Sequence, residues 1–311
     1  MSPCAVGGAL GLGGEESLRS RGTYSLRIAG LTVGVVPRCP SLRLSVSETS
    51  RAFLAAGEPD LRLSVLRRPL DGHPDGVLRF DSGATWRLFE TPDEWIYLFF
   101  DARRPTEPYK ELHLQRGGDV GTIVLHPDFF PVGEPVDPLE FPLDELLFLR
   151  LLSLHGGVEL HACGVLAGSG VGYLFVGQSG DGKTTTAKLW QASGQATVLS
   201  DDRIIVRRAS DGAWRMYGTP WHGEALLAAN VEAPLAAIFV LARGECPALR
   251  PMAPVAAVSA LLARSFTLFH DADAMATTVA LLEGLVESVP CRRFEFAARA
   301  DAVAFVLEHA A

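Results

Sequence analysis

Across residues 24–130 apolar and polar side chains alternate in short runs, among them "YSLRIAGLTVGVV", "LRLSVLRR", "VLRFDS", "ATWRLFET", "EWIYLFF", "KELHLQR" and "GTIVLH". Alternation at period two puts every second side chain on one face of a sheet, and Gly, Pro and Asp break the runs into strands. The pattern predicts a β-rich N-terminal domain over residues 23–135. Residues 131–142 then hold four prolines, enough to stop any regular element, and mark the domain boundary.

Beyond that boundary the period changes. "LDELLFLRLLSLHGG" has apolar residues at helical spacing and ends in a glycine pair suited to a C-cap. Two strand-like runs, "VELHACGVLAG" and "VGYLFVG", follow, joined by Gly168, Ser169 and Gly170. Next come a glycine loop, a helix through Lys188, the runs "QATVLSDD" and "RIIVRR", an Asp211-Gly212 turn, "AWRMYG" and the apolar strand "PLAAIFVLA". Helices over about 254–266 and 273–289, the strand "CRRFEFA" and a last helix from Asp301 complete the chain. Mixed strands and helices of this kind predict an α/β domain over residues 140–311.

Composition narrows the function classes. With 311 residues, 48% hydrophobic and 21% charged, the chain has enough apolar mass for two cores. Its formal charge of −8 gives no general attraction to nucleic acid or to an anionic membrane surface. Five cysteines at long spacings, with no CxxC pair, indicate neither a disulfide framework nor a zinc site. No apolar run approaches the roughly 20 residues of a membrane helix. The opening 1–22 has only weakly apolar Ala and Gly with no basic residues before them, so it reads as a flexible tail, not a signal peptide. A cytoplasmic location follows as the expectation.

The strongest chemical signal is "GYLFVGQSGDGKTTTAKLW". Gly177, Gly182, Lys183 and Thr184 fit G-x-x-x-x-G-K-[ST], the phosphate-binding loop, between an apolar strand and a helix as that motif requires. Glycines admit positive φ and close approach, so backbone N–H groups from Ser179, Gly180, Asp181 and Gly182 through Thr185 can converge on anionic oxygens. The helix N-terminus adds its dipole, Lys183 a mobile charge, and the Thr184 hydroxyl a donor for Mg²⁺. No "NKxD" or "LSGGQ" occurs, which argues against a switch GTPase or a transporter ATPase.

Eighteen residues after Lys183 stand Asp201 and Asp202, at the end of "ATVLS". One carboxylate of such a pair can complete a metal site and the other can take the proton of an attacking hydroxyl, in either assignment; a plain Asp-Asp turn is the alternative. His161 could reach the reacting phosphate from the strand before the loop's own. Trp221 and His222 in "GTPWHGE" either frame a substrate or belong to a turn. "TPDEWIYLFF" and "LHPDFF" in the first domain read as core strand more than as peptide-binding surface, and Arg243 follows a strand where it could meet nucleotide phosphates or lie on the surface.

The segment "LHACGVLAGSGVGYLFVGQSGDGKTTTAKLW", followed by "VLSDD", resembles the HPr kinase/phosphorylase and phosphoenolpyruvate carboxykinase-like P-loop proteins over residues 140–245. Ala162 and Cys163 intervene between His161 and the Gly-Val-Leu run, a two-residue offset that keeps the histidine on the same strand face. "GTPWHGE" with "APLAAIFVLARGE" is similar to divergent HPr kinase-like proteins of peptide-modifying systems. The resemblance implies a mixed-sheet P-loop domain, ATP and Mg²⁺ as cofactors, and transfer of the γ-phosphoryl group to a serine-type hydroxyl of a peptide, protein or small molecule, a ribosomal precursor peptide among them. His161, Asp201, Asp202 and Lys183 would be catalytic, Thr184 and Asp201 metal ligands, and a homo-oligomer the assembly. The family's C-terminal phosphorylase signature and the basic set of a carboxykinase are missing. The alternative is a module that senses nucleotide without phosphotransfer.

Overall fold

The structure, a computed structural model, describes residues 22–70, 72 and 74–310. The tail expected over 1–22 lies, except for Gly22, outside the described residues. The chain divides into two compact units. One comprises Leu31–Pro142 with the chain up to Arg27, and the other Leu143–Ala311 with Ile28–Gly30.

The first unit is the β-rich one. Its strands are Tyr24–Ile28 (β1), Leu31–Pro37 (β2), Arg43–Leu44 (β3), Leu61–Arg67 (β4), Val77–Asp81 (β5), Trp86–Glu90 (β6), Glu94–Asp101 (β7), Arg104–Gln115 (β8), Val120–Leu125 (β9) and Pro135–Val136 (β10). Eight of them form one sheet in the order β1-β2-β4-β9-β8-β7-β6-β5. The "EWIYLFF" run is core: Ile96 through Phe100 are buried in β7. β2, β4 and β9 pair in parallel, which period-two alternation does not reveal.

The second unit is a mixed sheet with helices on both faces. Its helices are Leu143–His155 (α1), Lys183–Ser193 (α2), Pro254–Leu262 (α3), Ala272–Ser288 (α4) and Asp301–His309 (α5). Its strands are Gly157–Ala167 (β11), Gly172–Val176 (β12), Ala196–Ser200 (β13), Arg203–Arg208 (β14), Trp214–Gly218 (β15), Glu232–Arg243 (β16), Ala248–Pro251 (β17), Ser265–Phe266 (β18) and Cys291–Phe296 (β19). The expected helix over 254–266 is shorter, because its last residues peel off as β18 onto β11. Among the described residues no helix is long and apolar enough to cross a membrane.

β12 lies between β11, antiparallel, and β16, parallel, and β19 continues the parallel set beyond β16. All five residues of β12 are buried, as a strand covered on both faces must be. Alternation then sorts its side chains. Leu174 and Val176 join Ile238 beneath Leu282 and Leu285 of α4, while Phe175 turns to Phe239, Phe294 and Trp190 of α2. Pairing also changes along single strands. β11 pairs with β14 through Gly157–His161 and with β12 from Ala162 onward, so His161 stands where the strand passes from one partner to the other. Across from it, Asp201 and Asp202 link β13 to β14 as the chain moves between the two halves of β11.

Candidate functional site

The glycine loop occupies the carboxyl end of β12. Gly177 N–H still donates to the His161 carbonyl at 3.1 Å, a last rung before the chain turns away. Gly180 and Gly182 then take φ of 86° and 104°, the left-handed region, and a Cβ on Gly182 would stand 3.0 Å from the Phe296 ring. α2 starts at Lys183 with no side chain capping its first N–H groups, which leaves them for an acceptor from outside the helix. Within the loop Asp181 closes a turn on Gln178: its carboxylate accepts the Gln178 N–H at 2.7 Å, and its own N–H donates to the Gln178 carbonyl at 3.1 Å. The Asp181 amide expected among the converging donors is thus turned inward. Ser179 and Gly180 are exposed, and Thr184 and Thr185 are half-buried in the first turn of α2.

Lys183 lies beneath this loop, 5% exposed. Its Nζ donates to the Gln178 carbonyl at 3.1 Å and stands 4.0 Å from Asp202 Oδ1. Burial lowers its pKa, against the opposing pull of Asp202 and Asp181. The ammonium is therefore held in place by carbonyl and carboxylate oxygens, partly stripped of water, where an anion gains most from it.

The two aspartates do different things. Asp201 is fully buried, and its carboxylate accepts three backbone N–H bonds, from Gly223 at 2.9 Å, Ala225 at 2.9 Å and Leu227 at 3.3 Å. It is a strap that holds the loop after β15. Asp202 is half-exposed and faces Lys183. His161 Nε2 lies 2.9 Å from its Oδ1 and donates to it, since an ionised carboxylate only accepts. Burial works against the Asp202 charge, but the His161 hydrogen bond and the positive charge of His161, Lys183 and His222 hold its carboxyl below the usual value.

Arg203 and Arg264 also belong here, although neither stands out in the sequence. Arg203 Nε lies 3.5 Å from Asp202 Oδ2, its Nη1 pairs with Glu145 and stands 3.5 Å from Glu159 Oε1, and its guanidinium stacks 4.3 Å over Phe266. The only hint was its place directly after the acidic pair. Arg264 Nη2 lies 3.6 Å from Asp181 Oδ2, and its carbonyl accepts the His161 N–H at 2.8 Å. Glu159 is fully buried, and burial, with the Asp144 and Asp202 charges, pushes its carboxyl well above the usual range. Arg203 is shared among three carboxylates and does not offset that burial. Cys163, buried beside the loop, is pushed up by the same burial and is no thiolate at neutral pH.

Trp221 packs into the core of its unit. It is 7% exposed, its indole N–H donates to Asp144 Oδ2 at 2.8 Å, and its ring packs edge-on against Phe148 of α1. Its neighbour His222 is half-buried, close enough to lower the Asp202 pKa, and its Nδ1 lies 3.1 Å from the Gly223 carbonyl.

No protein-family model matches the chain. No curated protein matches it significantly either. Lys183 at the start of α2 stands 4.0 Å from Asp202, which His161 holds by a hydrogen bond, so a basic group and an acid–base pair meet at the mouth of the loop beside the open amides of α2. The expected metal pair, Thr184 with Asp201, does not fit. Asp201 is fully buried and has most of its lone pairs filled by N–H donors, whereas a carboxylate that ligates Mg²⁺ must offer a free lone pair within an octahedral set of oxygens, several of them waters.

Proposed function

We propose that the chain is an ATP-dependent kinase that transfers the γ-phosphoryl group to a serine-type hydroxyl. One observation carries this reading: at the mouth of the glycine loop Asp202 lies 2.9 Å from His161 and 4.0 Å from Lys183, residues far from it in sequence. The N–H groups at the start of α2 and Lys183 hold the outer phosphates, in keeping with the G-x-x-x-x-G-K-[ST] spacing. The acceptor O–H gives its proton to the Asp202 carboxylate. Its oxygen forms the new bond to the γ-phosphorus while the bond to the β,γ-bridging oxygen breaks, and ADP leaves with that electron pair.

His161 acts by orienting Asp202, and Arg203 holds the other carboxylate oxygen. The lowered pKa keeps Asp202 ionised at neutral pH. Phosphoryl transfer asks more for positioning and charge neutralisation than for a strong base, so this is no handicap. Asp201 serves the site by fixing the chain over residues 223–227. Any metal arrives on the nucleotide's own phosphates, and no step depends on a protein-built metal site.

The test is an acceptor screen by mass spectrometry. Candidate peptides and hydroxylated metabolites are incubated with ATP, and a mass gain of one phosphoryl group is sought. Transfer that disappears in Lys183→Ala and in Asp202→Asn supports the kinase. Transfer that persists in both variants excludes this site. ATP binding with no ADP release over hours points to a nucleotide sensor instead.

A further inference from the structure

We propose that Leu226 selects the residue beside the acceptor hydroxyl, and that the acceptor is a peptide whose serine has an aliphatic neighbour, a proposal that rests on the reading of Asp202 as the base. The chain between β15 and β16 is pinned inward on both sides of a tight turn. Before the turn, the Trp221 indole N–H donates to Asp144 and the Trp221 carbonyl accepts the Ser200 hydroxyl at 3.2 Å. After it, Leu227 packs against the apolar cluster that holds Trp190 of α2. The Asp201 carboxylate takes the N–H groups of Gly223, Ala225 and Leu227, and the Leu226 N–H closes the turn on the Gly223 carbonyl at 3.1 Å. These backbone donors are satisfied within the protein, and what the turn exposes is Glu224 and Leu226.

Leu226 is out of place as a structural residue. It is 71% exposed and takes φ of 55°, the left-handed region that glycine enters without penalty and a leucine does not. Among the described residues Ala29 is the other non-glycine residue at positive φ, and it is buried. Of the two, only Leu226 gains neither burial nor a relaxed backbone from its position. Its distance from the base supplies a reason. A Cβ on Gly223 would stand 3.1 Å from Asp202 Cβ, so the turn begins against the base. The ends of a four-residue turn lie within about 7 Å of one another, which puts the Leu226 Cα within about 12 Å of Asp202 Cβ. A peptide with its serine hydroxyl at Asp202 has its next Cα about 3.8 Å along the chain, and the side chain there and that of Leu226 together span the gap. An aliphatic neighbour shields both side chains from water, whereas a charged one loses hydration against the leucine.

Synthetic peptide libraries test this. Each has one serine, a fixed residue directly before or after it, and mixed residues elsewhere; the intact chain and ATP are added, and phosphopeptides are counted by mass spectrometry. Wild-type protein is expected to favour Leu, Ile, Val or Met over Lys, Asp or Glu by about tenfold at one of the two positions. Leu226→Lys should turn that preference toward Asp and Glu, and Leu226→Gly should abolish it. Both variants should bind ATP as the wild type does, and Leu226→Gly should melt no lower, because glycine relaxes the left-handed backbone. Phosphorylation without a preference in the wild type, or a preference unchanged in both variants, overturns the role of Leu226 while the kinase reading stands. Unchanged preference together with lost self-association in Leu226→Lys, read by sedimentation, makes the residue a contact between copies and overturns the proposal as well. Phosphorylation of no library peptide overturns the peptide acceptor, and transfer to hydroxylated metabolites then decides the kinase reading by itself.

Discussion

Replacing Asp201 with asparagine separates a structural acid from a chemical one. The carboxylate oxygens now accept three N–H bonds, two on Oδ1 and one on Oδ2, in a fully buried position. An asparagine keeps one carbonyl oxygen for Gly223 and Leu227, but turns an NH₂ group against the Ala225 N–H. One charge-assisted bond is lost outright, and the other two fall to the strength of neutral bonds. Together these changes cost about 3–5 kcal/mol. For a unit of this size the loss lowers the melting temperature by roughly 6–20 °C. Differential scanning calorimetry reads it directly, with Asp202→Asn as the comparison. Asp202 is half-exposed, so its substitution should shift melting only slightly while removing phosphotransfer. An Asp201→Asn protein with wild-type melting and no turnover would refute the division of labour between the two residues.

Glu159→Gln should stabilise the protein at neutral pH. The folded state holds this carboxyl well above its ordinary pKa of 4.5, so ionisation favours the unfolded chain progressively as pH rises past that value. The gain should be absent at pH 4 and grow toward pH 7 in paired thermal melts; a gain independent of pH would mean that Glu159 is ionised in the fold. Trp221→Phe leaves Asp144 Oδ2 without the indole donor in a buried position, at about 1–3 kcal/mol. ATP affinity should be unchanged by that substitution, and a large loss of affinity would return Trp221 to the site.

The local elements were readable because their periods are strong. "LDELLFLRLLSLHGG" repeats at helical spacing and forms α1, and "GYLFV" is an unbroken apolar run that becomes a strand buried on both faces. The glycine loop was readable because its positive-φ positions demand glycine at Gly180 and Gly182. Partner choice was not. Nothing in the spacing says that β11 changes neighbours at His161, yet that switch sets the histidine beside Asp202. The distinction between Asp201 and Asp202 depends on where the backbone of residues 223–227 returns, a non-local fact that adjacent identical letters cannot carry. Trp221 misled for a related reason: its partner Asp144 is 77 residues away on α1, so an unusual residue in a turn was an anchor to the core. Arg203 and Arg264 escaped notice because isolated arginines at the ends of elements are usually solvated.

The central claim is that the amides at the start of α2 bind the phosphates of ATP. Hydrogen–deuterium exchange of the intact chain, with and without ATP, tests it at the residues concerned. Slowed exchange over residues 178–185, lost in Lys183→Ala, is the predicted result. Exchange there that is unchanged by saturating ATP, or protection confined to other segments, would contradict it.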